Sequence, residues 1–369
     1  MLSVFSSPGH YVQGRDATAV LGAEMVRLGL TGPVLVVAAP SAGRLLGDAW
    51  SATFKEAGTD YAVHRFGGEC SVAETGRIKQ AAVLHRAAVI VGAGGGKALD
   101  AARAAAHGLD LPMVSCPTTA SNDAPCSALS VLYTEQGAFD SYLLVRRNPA
   151  LVLVDSSAVV RAPARLFSAG MGDALATWFE ARTCVAGRVR NMRGGASTAA
   201  AAALSELCHR TLLADGPDAL AAVRRQLVTP AVERLIEANT LLSGLGFESS
   251  GLAAAHAVHN GLTAVPQTHP YLHGEKVAFG VLTQLVLEGA AGAEIAEVLA
   301  FCRRVGLPVT LGGLGLAEAD RAVVETIATR ATAEGETIHN EPFAVDPRMV
   351  ADAIEAADAL GRASAPTGG

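Results

Sequence analysis

The sequence has few of the features that membrane-spanning, nucleic-acid-binding or disulfide-rich proteins need. Its apolar stretches, such as residues 87–92, are far shorter than the roughly 20 residues of a bilayer span. Basic residues form only isolated pairs and the formal net charge is −6, which argues against a nucleic-acid partner. The six cysteines are scattered without a CxxC pair, and the first residues do not resemble a signal peptide. We therefore expect a cytoplasmic protein with reduced thiols and no membrane association.

Aromatic residues are also scarce, at 5% of the chain. Apolar residues make up 50% and charged residues 17%, which is typical of a compact globular protein and not of a disordered one. Alanine and glycine supply much of the apolar fraction, and this favours closely packed helices over a β-sandwich. A chain of 369 residues is too long for one ordinary hydrophobic core, so two domains are expected.

Residues 1–162 alternate between short apolar runs and helical patterns. Continuous apolar strands separated by helices are typical of a parallel sheet covered on both faces. The strands are predicted at residues 34–38, 61–66, 88–92, 112–116 and 151–155. A hairpin is predicted before the last strand, from residues 128–133 back through residues 142–145.

Helical periodicity dominates from residue 163 onward. Helices are predicted, among others, at residues 174–185, 196–213, 231–242, 277–287 and 349–360. The expected fold is an α/β N-terminal domain with a mostly parallel, doubly wound sheet (residues 1–162), followed by an all-α C-terminal domain (residues 163–369). The Gly/Ser/Pro-containing tail after Arg362 is expected to be frayed.

A glycine-rich loop, Gly94, Gly95 and Gly96 followed by Lys97, lies between a predicted strand and a predicted helix. Glycines let phosphates approach the backbone, and the N-terminus of the next helix offers N–H groups and partial positive charge. The loop fits neither the G-x-G-x-x-G nor the Walker A pattern. A purely structural turn therefore stays open beside nucleotide binding, which the position at the carboxyl end of a sheet strand favours.

A second loop at the carboxyl end of the next strand concentrates hydroxyl groups and one carboxylate. Its polar residues include Thr118, Thr119, Ser121, Asp123 and Ser127. Because Asn, Asp and Pro form turns unaided, an Asx/Pro turn is the alternative to a binding role. The location beside the glycine loop favours binding, and Asp123 can accept hydrogen bonds from substrate hydroxyls.

Four histidines, His256, His259, His269 and His273, fall within 18 residues. His256 and His259 are three residues apart and share one face of a predicted helix. The cluster predicts either a metal site or buried histidines hydrogen-bonded among helices. Asp173 follows a Gly-Met-Gly sequence before an alanine-rich helix, and on local grounds it is predicted to be an N-cap.

Two of these imidazoles together with Asp173 can hold a divalent cation and leave coordination positions open. Such a cation binds an alcohol oxygen and lowers its pKa, which favours hydride transfer to a nicotinamide. The same ligand set serves non-haem iron oxygenases. A glycine-rich nucleotide loop in the same chain argues against that reading.

The chain resembles the iron-containing (group III) alcohol dehydrogenases, and among them the glycerol dehydrogenase family. The resemblance runs from about Pro8 to Gly361 and is carried by residues 94–100, 123–130, 170–180, 238–248, 256–261 and 273–280. The runs after Asp123 and Gly170 separate this family from its superfamily relatives. The resemblance implies a dehydroquinate synthase-like architecture, with an active site in the cleft between the nucleotide-binding domain and the helical domain.

Residue roles are also implied by the resemblance. Zinc would be held by Asp173, His256 and His273, and Asp123 would contact glycerol. NAD would be bound by residues of both loops and the hairpin, namely Gly94, Gly95, Gly96, Lys97, Asp100, Thr118, Thr119, Ser121, Ser127, Leu129 and Tyr133. The implied reaction is reversible oxidation of glycerol to dihydroxyacetone in a homo-octamer, with related vicinal diols and other divalent metals left open.

One departure from the family concerns the end of the first predicted strand. The family typically carries an acidic residue there that binds the adenosine ribose hydroxyls. This chain instead reads Ala38-Ala39-Pro40-Ser41, with Arg44 close by. Losing that carboxylate removes a repulsion against a 2′-phosphate, so NADP stays open as a cofactor beside NAD.

Glycerol-1-phosphate dehydrogenase and a sugar-phosphate cyclase are alternative functions for the same scaffold. Both need cationic side chains around a phosphate, and only Lys276 lies near Asp123 or His273 in sequence. The cyclases also usually carry Glu where Asp173 stands. A non-catalytic binding protein is a third alternative, and the intact candidate ligands argue against it. Other small alcohols, such as 1,2-propanediol, 2,3-butanediol, hydroxyacetone or an amino alcohol, remain open as substrates.

Overall fold

The computed structural model describes residues 1–363, which divide into two compact units. The α/β unit consists of Ser6–Phe167 and Ala221–Gly244. The helical unit consists of Met1–Phe5, Ser168–Leu220 and the residues from Leu245 onward. Apart from its first residue, Ala363, the tail that the sequence predicts to be frayed lies outside the described residues.

The division predicted from the sequence, 1–162 and 163–369, differs from these units in two segments. Residues 221–244 join the α/β unit, and Met1–Phe5 join the helical unit. The first difference has a visible cause, since Asn239 Nδ2 donates to the carbonyl oxygen of Ala120 at 3.0 Å. Likewise, Gln13 Nε2 donates to Glu233 Oε2 at 2.7 Å. Pairings between residues so far apart along the chain leave no local signal in the sequence.

A six-stranded parallel sheet forms the centre of the α/β unit. Its spatial order is β1 (Tyr11–Gly14), β8 (Leu151–Asp155), β5 (Met113–Pro117), β4 (Val89–Gly94), β2 (Val34–Ala38) and β3 (Tyr61–Arg65). The central strands are buried on both faces, which explains their continuous apolar runs. The strand β1 was not predicted, because its residues are only half-buried and show no such run.

An antiparallel hairpin stands apart from this sheet. It consists of β6 (Leu129–Tyr133) and β7 (Phe139–Leu144), with a register irregularity between Leu132 and Tyr133. The prediction of a hairpin before the last sheet strand is confirmed.

Helices cover both faces of the sheet in the α/β unit. Helices α1 (Leu21–Arg27) and α2 (Pro40–Glu56) cover one face, where Trp50 and Phe54 are buried. Helices α3 (Val72–Leu84) and α4 (Gly96–Leu109) cover the other face with Ile78 and a row of alanines. Small side chains are needed there, because a Cβ on Gly92 would lie 2.8 Å from the Cβ of Ala102.

The remaining helices follow β8. They are α5 (Ser156–Val159), α6 (Ala164–Gly187), α7 (Ala199–Val223), α8 (Pro230–Glu237), α9 (Ser243–Ser250), α10 (Ala254–Thr263), α11 (His273–Leu287), α12 (Gly292–Val305), α13 (Arg321–Ala331) and α14 (Pro347–Ala363). A π-helical turn, Ala238–Leu242, joins α8 to α9. Within residues 1–363 no helix has the length and apolar character needed to cross a membrane. The predicted combination of a parallel α/β unit and an all-α unit is confirmed.

Asp173 is not an N-cap, so the prediction made on local grounds was wrong. Helix α6 begins at Ala164 and continues through the glycines that looked like its boundary. Gly172 is tolerated inside the helix because it faces a neighbouring backbone, where a Cβ would overlap the carbonyl oxygen of Gly274. In the sequence alone, a glycine that permits close helix packing cannot be distinguished from one that ends a helix, and this made the residues before Asp173 look like a helix boundary.

Candidate active site

Three side chains of the helical unit converge on one point. His273 Nε2 lies 2.9 Å and His256 Nε2 lies 3.4 Å from Oδ1 of Asp173. One ligand atom from each of these residues lies within 4.8 Å of the others. Asp173 is 1% exposed, so its carboxylate depends on cationic or hydrogen-bonding neighbours. The structure thus brings together the three metal ligands predicted from the sequence.

Small residues at two helix crossings bring these side chains together. A Cβ on Gly274 of α11 would overlap the carbonyl oxygen of Ala169 and lie 2.9 Å from the backbone nitrogen of Asp173, both in α6. A Cβ on Gly280 would overlap the carbonyl oxygen of Ala255 in α10. Helix α11 therefore lies in backbone contact with both α6 and α10, and its first residue, His273, reaches the other two ligands.

Glu180 is a site residue that sequence analysis missed. It follows Asp173 by seven positions and so lies on the same face of α6. Its Oε2 lies 2.6 Å from His256 Nδ1, and its Oε1 accepts from the backbone N–H groups of Ala253 (2.8 Å) and His256 (3.0 Å). Because a carboxylate only accepts, His256 carries its proton on Nδ1 and presents Nε2 to a metal. The seven-residue spacing was the available signal.

A chain of hydrogen bonds orients the second imidazole. Asn260 Nδ2 donates to Glu336 Oε2 at 2.8 Å, which leaves Asn260 Oδ1 to accept from His259 Nδ1 at 3.1 Å. His259 Nε2 can then only accept, and it lies 2.9 Å from Nδ1 of His273. His273 accordingly carries its proton on Nδ1 and directs Nε2 toward Asp173.

Neighbouring charges and hydrogen bonds shift the pKa values of three of these groups. Burial and the neighbouring His273 lower the pKa of His259 well below its ordinary value, so that ring is neutral. Burial would raise the pKa of Asp173, but the charges and hydrogen bonds of His273 and His256 outweigh it and lower that pKa. For His256, burial is outweighed by Glu180 and Asp173, which raise the pKa. One anionic oxygen and two imidazole nitrogens fit a divalent cation such as zinc.

The glycine-rich loop lies in the α/β unit, where β4 ends at Gly94 and α4 begins at Gly96. Gly94 has a φ of +152°, and a Cβ there would lie 2.8 Å from the Cβ of Ala39. A Cβ on Gly96 would overlap the amide nitrogen of Asn122. Gly95 is the N-cap and has no side chain to cap the helix, so the N–H groups of the first turn of α4 can bind a phosphate.

Two predicted cofactor residues, Lys97 and Asp100, are engaged with protein partners. Lys97 Nζ lies 2.6 and 2.7 Å from the carboxylate oxygens of Glu69. Asp100 is buried, pairs with Arg103 Nη1 at 2.5 Å and accepts from the backbone N–H of Val131 at 3.1 Å. The charge of Lys97 is thus balanced locally, and Asp100 anchors the hairpin to α4.

The hairpin residues Leu129 and Tyr133 are the first and last residues of β6. Arg103 Nη1 donates to the carbonyl oxygen of Leu129 at 2.6 Å, and the backbone N–H of Tyr133 donates to the carbonyl oxygen of Cys70 at 2.9 Å. The ring of Tyr133 lies 4.7 Å from Lys97 Nζ. Tyr133 therefore lies next to the start of α4, and Leu129 is held at the middle of that helix by Arg103.

The hydroxyl-rich loop follows β5 and adjoins the glycine loop. The backbone N–H of Thr118 donates to the carbonyl oxygen of Gly94 at 3.0 Å. The hydroxyl groups of Thr119 and Ser121 lie 3.1 Å apart, and Ser127 Oγ donates to the carbonyl oxygen of Ala124 at 3.4 Å. The glycine loop and the hydroxyl-rich loop therefore adjoin at the carboxyl ends of β4 and β5, as the sequence predicted for adjacent parallel strands.

Asp123 in this loop contacts a residue that sequence analysis did not nominate. Its Oδ2 accepts from Ser243 Oγ at 3.4 Å. A Cβ on the next residue, Gly244, would lie 3.1 Å from the carbonyl oxygen of Asp123. Ser243 directly follows the π-helical turn, and such turns are frequent at functional sites. The local sequence contains no signal for this pairing, because the two residues are 120 positions apart.

Comparison with known proteins identifies the family. The model of the iron-containing alcohol dehydrogenases matches residues 8–156. Glycerol dehydrogenase of Escherichia coli O6:H1 is 51% identical, with 97% of each chain covered. The chain belongs to the iron-containing alcohol dehydrogenase family. Glycolaldehyde reductase of Halobacterium salinarum is 48% identical over 98% of this chain and 99% of its own. The crystal structure of a probable glycerol dehydrogenase from Sinorhizobium meliloti 1021 is 42% identical, covers 98% of this chain and 100% of its own, and has a TM-score of 0.91.

Membership of the iron-containing alcohol dehydrogenase family confirms the resemblance predicted from the sequence and the oxidoreductase class that goes with it. The phosphate-substrate alternatives, glycerol-1-phosphate dehydrogenase and a sugar-phosphate cyclase, are not favoured by these relatives. The described residues include a three-residue donor set in the helical unit and a glycine-rich loop at the start of α4 in the α/β unit.

Proposed function

We propose that this enzyme oxidises glycerol, or a related vicinal diol, reversibly to dihydroxyacetone or the corresponding hydroxyketone, with hydride transfer to NAD. The convergence of Asp173, His256 and His273 carries the proposal, because these ligands suit a cation that binds an alcohol oxygen. Relatives of this chain named glycerol dehydrogenase, similar over nearly their whole length, support glycerol as the substrate.

A divalent cation held at these ligands, zinc in our proposal, would lower the pKa of a bound alcohol. The chain's own residues prepare the site for it. Glu180 holds His256 with Nε2 toward the cation, and His259 does the same for His273. These contacts favour the orientation of each imidazole that directs Nε2 to a cation.

In the α/β unit we assign substrate recognition to Asp123 and cofactor binding to the two loops and the hairpin. The Asp123 carboxylate accepts hydrogen bonds from a diol, and Ser243 holds one of its oxygens in place. The N–H groups at the start of α4 bind the pyrophosphate, and the missing side chain of Gly96 lets Asn122 pack against the loop. Asp100 acts as a positioning residue, since its carboxylate binds Arg103 and the hairpin.

We further propose a cytoplasmic homo-oligomer, an octamer by analogy with the family, with no nucleic-acid or membrane partner. The six cysteines are buried and unpaired as disulfides, in keeping with a reducing compartment. The formal net charge of −6 disfavours nucleic acid.

The test is a substrate panel run with NAD and with NADP, before and after chelation. The panel contains glycerol, 1,2-propanediol, 2,3-butanediol, an amino alcohol and glycerol-1-phosphate, and in the reverse direction dihydroxyacetone, hydroxyacetone and glycolaldehyde. We expect turnover of glycerol and dihydroxyacetone, lost on chelation and restored by metal. Glycolaldehyde is included because the Halobacterium salinarum relative carries that name.

The matched variants are His256→Ala and His339→Ala. His256 is a proposed ligand, whereas His339 is exposed and its Nε2 lies 3.2 Å from the carbonyl oxygen of Thr332. We expect the first variant to lose activity by orders of magnitude and the second to retain it. Full activity of a metal-free preparation, verified by elemental analysis, would contradict the proposed chemistry, and preference for a phosphorylated substrate would contradict the substrate assignment.

A further inference from the structure

The carboxyl end of β2 adjoins the glycine loop and carries no carboxylate. Ala39 follows β2 and is the N-cap of α2, where Pro40 is the first helical residue. The backbone N–H of Ala39 donates to the carbonyl oxygen of Ala93 at 2.9 Å, and its Cβ would be 2.8 Å from a Cβ on Gly94. The side chain beside the cofactor loop is therefore only a methyl group. A carboxylate at this position would repel a 2′-phosphate, and this chain has none there.

Arg65 lies next to this position through strand pairing. The parallel register of β2 and β3 places Arg65 opposite Ala38. Side chains alternate along a strand, and Tyr61 packs on the side of α2 whereas Ala62 packs on the side of α3. Arg65, four positions after Tyr61, therefore lies on the face of the sheet that α2 covers.

A second cation, Arg44, lies in the second turn of the same helix α2. Both Arg44 and Arg65 are exposed, and within residues 1–363 neither guanidinium has a hydrogen-bond or ion-pair partner. Two arginines without partners flanking a methyl group make this corner of the α/β unit electropositive.

The carboxylates of residues 69–74 do not neutralise this charge, because they are already paired, and the exposed Asp48, one turn after Arg44 on α2, forms no ion pair with it within residues 1–363. Glu69 binds Lys97, with Nζ at 2.6 Å from Oε2. Glu74 binds Arg77 at 2.7 Å and His64 at 3.1 Å. The positive charge of the two arginines thus remains available to a ligand.

We propose that Ala39, Arg44 and Arg65 form a recognition site for the 2′-phosphate of NADP, so that this enzyme uses NADP as well as NAD. Arginine presents a fork of donors that matches a phosphate group, and an arginine near the end of this strand is how doubly wound sheets accommodate that phosphate. The proposal rests on the proposed dehydrogenase function and adds the dual use of cofactors to it.

The test is a direct binding titration of NADPH and NADH, followed by the change in cofactor fluorescence, with the full-length protein. We expect wild-type Kd values for the two cofactors to agree within about tenfold, and NADPH binding to weaken more steeply with salt. Displacement of bound NADPH by 2′,5′-ADP is compared with its displacement by 5′-ADP. The difference between the two affinities measures the contribution of the 2′-phosphate alone.

Substitutions at the corner assign the effect to residues. Arg65→Ala is expected to weaken NADPH binding by about ten- to hundredfold while NADH changes less than about twofold, with Arg44→Ala acting in the same direction. Ala39→Asp is expected to weaken the binding of NADPH by roughly tenfold or more through like-charge repulsion.

Two further variants serve as controls. Arg65→Lys retains the charge and most of the NADPH affinity, so it separates loss of phosphate recognition from a folding defect. Lys55→Ala is the matched control, since Lys55 is an exposed cation in the last turn of α2.

The outcomes separate this inference from the proposed function. If NADH binds and glycerol is oxidised, but NADPH binds more than about 100-fold more weakly than NADH, the inference is wrong and the function stands. The same conclusion follows if Arg65→Ala weakens both cofactors equally. If neither cofactor binds, the proposed dehydrogenase function itself fails.

Discussion

The Nδ1 atom of His273 lies 2.9 Å from the Nε2 atom of His259. His259 is not among the three ligand candidates, yet it decides which nitrogen of His273 is available to a metal. The series of hydrogen bonds begins at the acceptor Glu336, which accepts from Asn260 Nδ2 and thereby fixes the orientation of that amide. Each following ring or amide in this hydrogen-bond series can then act in one way only, as a donor or as an acceptor at a given atom. The series ends at His273, whose proton is placed on Nδ1 so that Nε2 can bind a metal.

We predict that His259→Ala lowers the affinity for the metal by about 10- to 100-fold, because loss of an outer hydrogen-bond partner leaves a ligand ring free to rotate and change tautomer. The measurement is metal content after dialysis against a graded series of chelator concentrations. His339→Ala serves as the control, since its ring is exposed and lies within hydrogen-bond distance of the backbone oxygens of Thr332 and Ala333. Equal metal retention by both variants would show that His259 does not position the ligand.

The sequence contained most of the fold and part of the site. The central strands were predictable because burial on both faces demands continuous apolar residues, as in Val34–Ala38. Glu180 was missed although its spacing from Asp173 marks a shared helix face. Ser243 and Arg65 were not predictable, because their roles depend on tertiary contact and on strand register. Local patterns report burial and periodicity, whereas partners distant in sequence appear only after folding.

The crossing of α6 and α11 gives a second prediction. Gly274→Ala would place a Cβ against the carbonyl oxygen of Ala169, a backbone atom that cannot rotate away. We expect a loss of at least about 1–3 kcal/mol in the free energy of unfolding. Weaker metal binding should accompany it, because separating the helices moves His273 from Asp173.

The control for this crossing is Gly292→Ala at the start of α12, where a Cβ meets no atom within 4 Å. Its unfolding free energy should stay within about 0.5 kcal/mol of wild type. Chemical denaturation of the metal-free proteins measures both variants without a contribution from bound metal. If Gly274→Ala unfolds like the control, the close approach of the two helices is not required.

A third prediction concerns the buried pair of Asp100 and Arg103. Arg103 is 2% exposed and donates to the carbonyl oxygens of Ala124 and Leu129 as well as to Asp100. Burial raises the pKa of Asp100, and Arg103 opposes that rise. We expect Arg103→Met to cost about 3–5 kcal/mol in unfolding free energy, because it leaves a buried carboxylate without its cation.

Denaturant unfolding of Arg103→Met and of the double variant with Asp100→Asn tests this reasoning. Removing the stranded charge should restore part of the stability, since the neutral amide is cheaper to bury. Arg146→Met is the matched control, as its ion pair with Asp110 is exposed and is expected to contribute less than about 1 kcal/mol. A double variant no more stable than the single one would indicate that lost packing, and not the unpaired charge, dominates.

Acid stability of the α/β unit gives the last prediction, through Glu74 at the start of α3. Its side chain is 2% exposed, accepts from the backbone N–H of Gly67 at 2.9 Å and pairs with Arg77 and His64. Burial alone would raise the pKa of Glu74, but these hydrogen bonds and charges lower it below the ordinary value of 4.5. The unfolded chain therefore takes up the proton first. The stabilisation is present above pH 4.5 and is lost as the pH falls from there through the folded-state pKa.

We expect Glu74→Gln to lower the unfolding free energy at neutral pH by about 1–3 kcal/mol, because three charge-assisted contacts lose their anion. The difference from wild type should shrink as the pH falls, since the wild-type carboxylate is then also neutral. Thermal unfolding of both proteins from about pH 7 to well below pH 4.5, as far as the wild type stays folded, measures this convergence. Glu318→Gln, at an exposed position, should track wild type within about 0.5 kcal/mol throughout. A Glu74→Gln deficit that stays constant with pH would mean that shape, and not charge, makes Glu74 important, because only the charge is titrated away in acid.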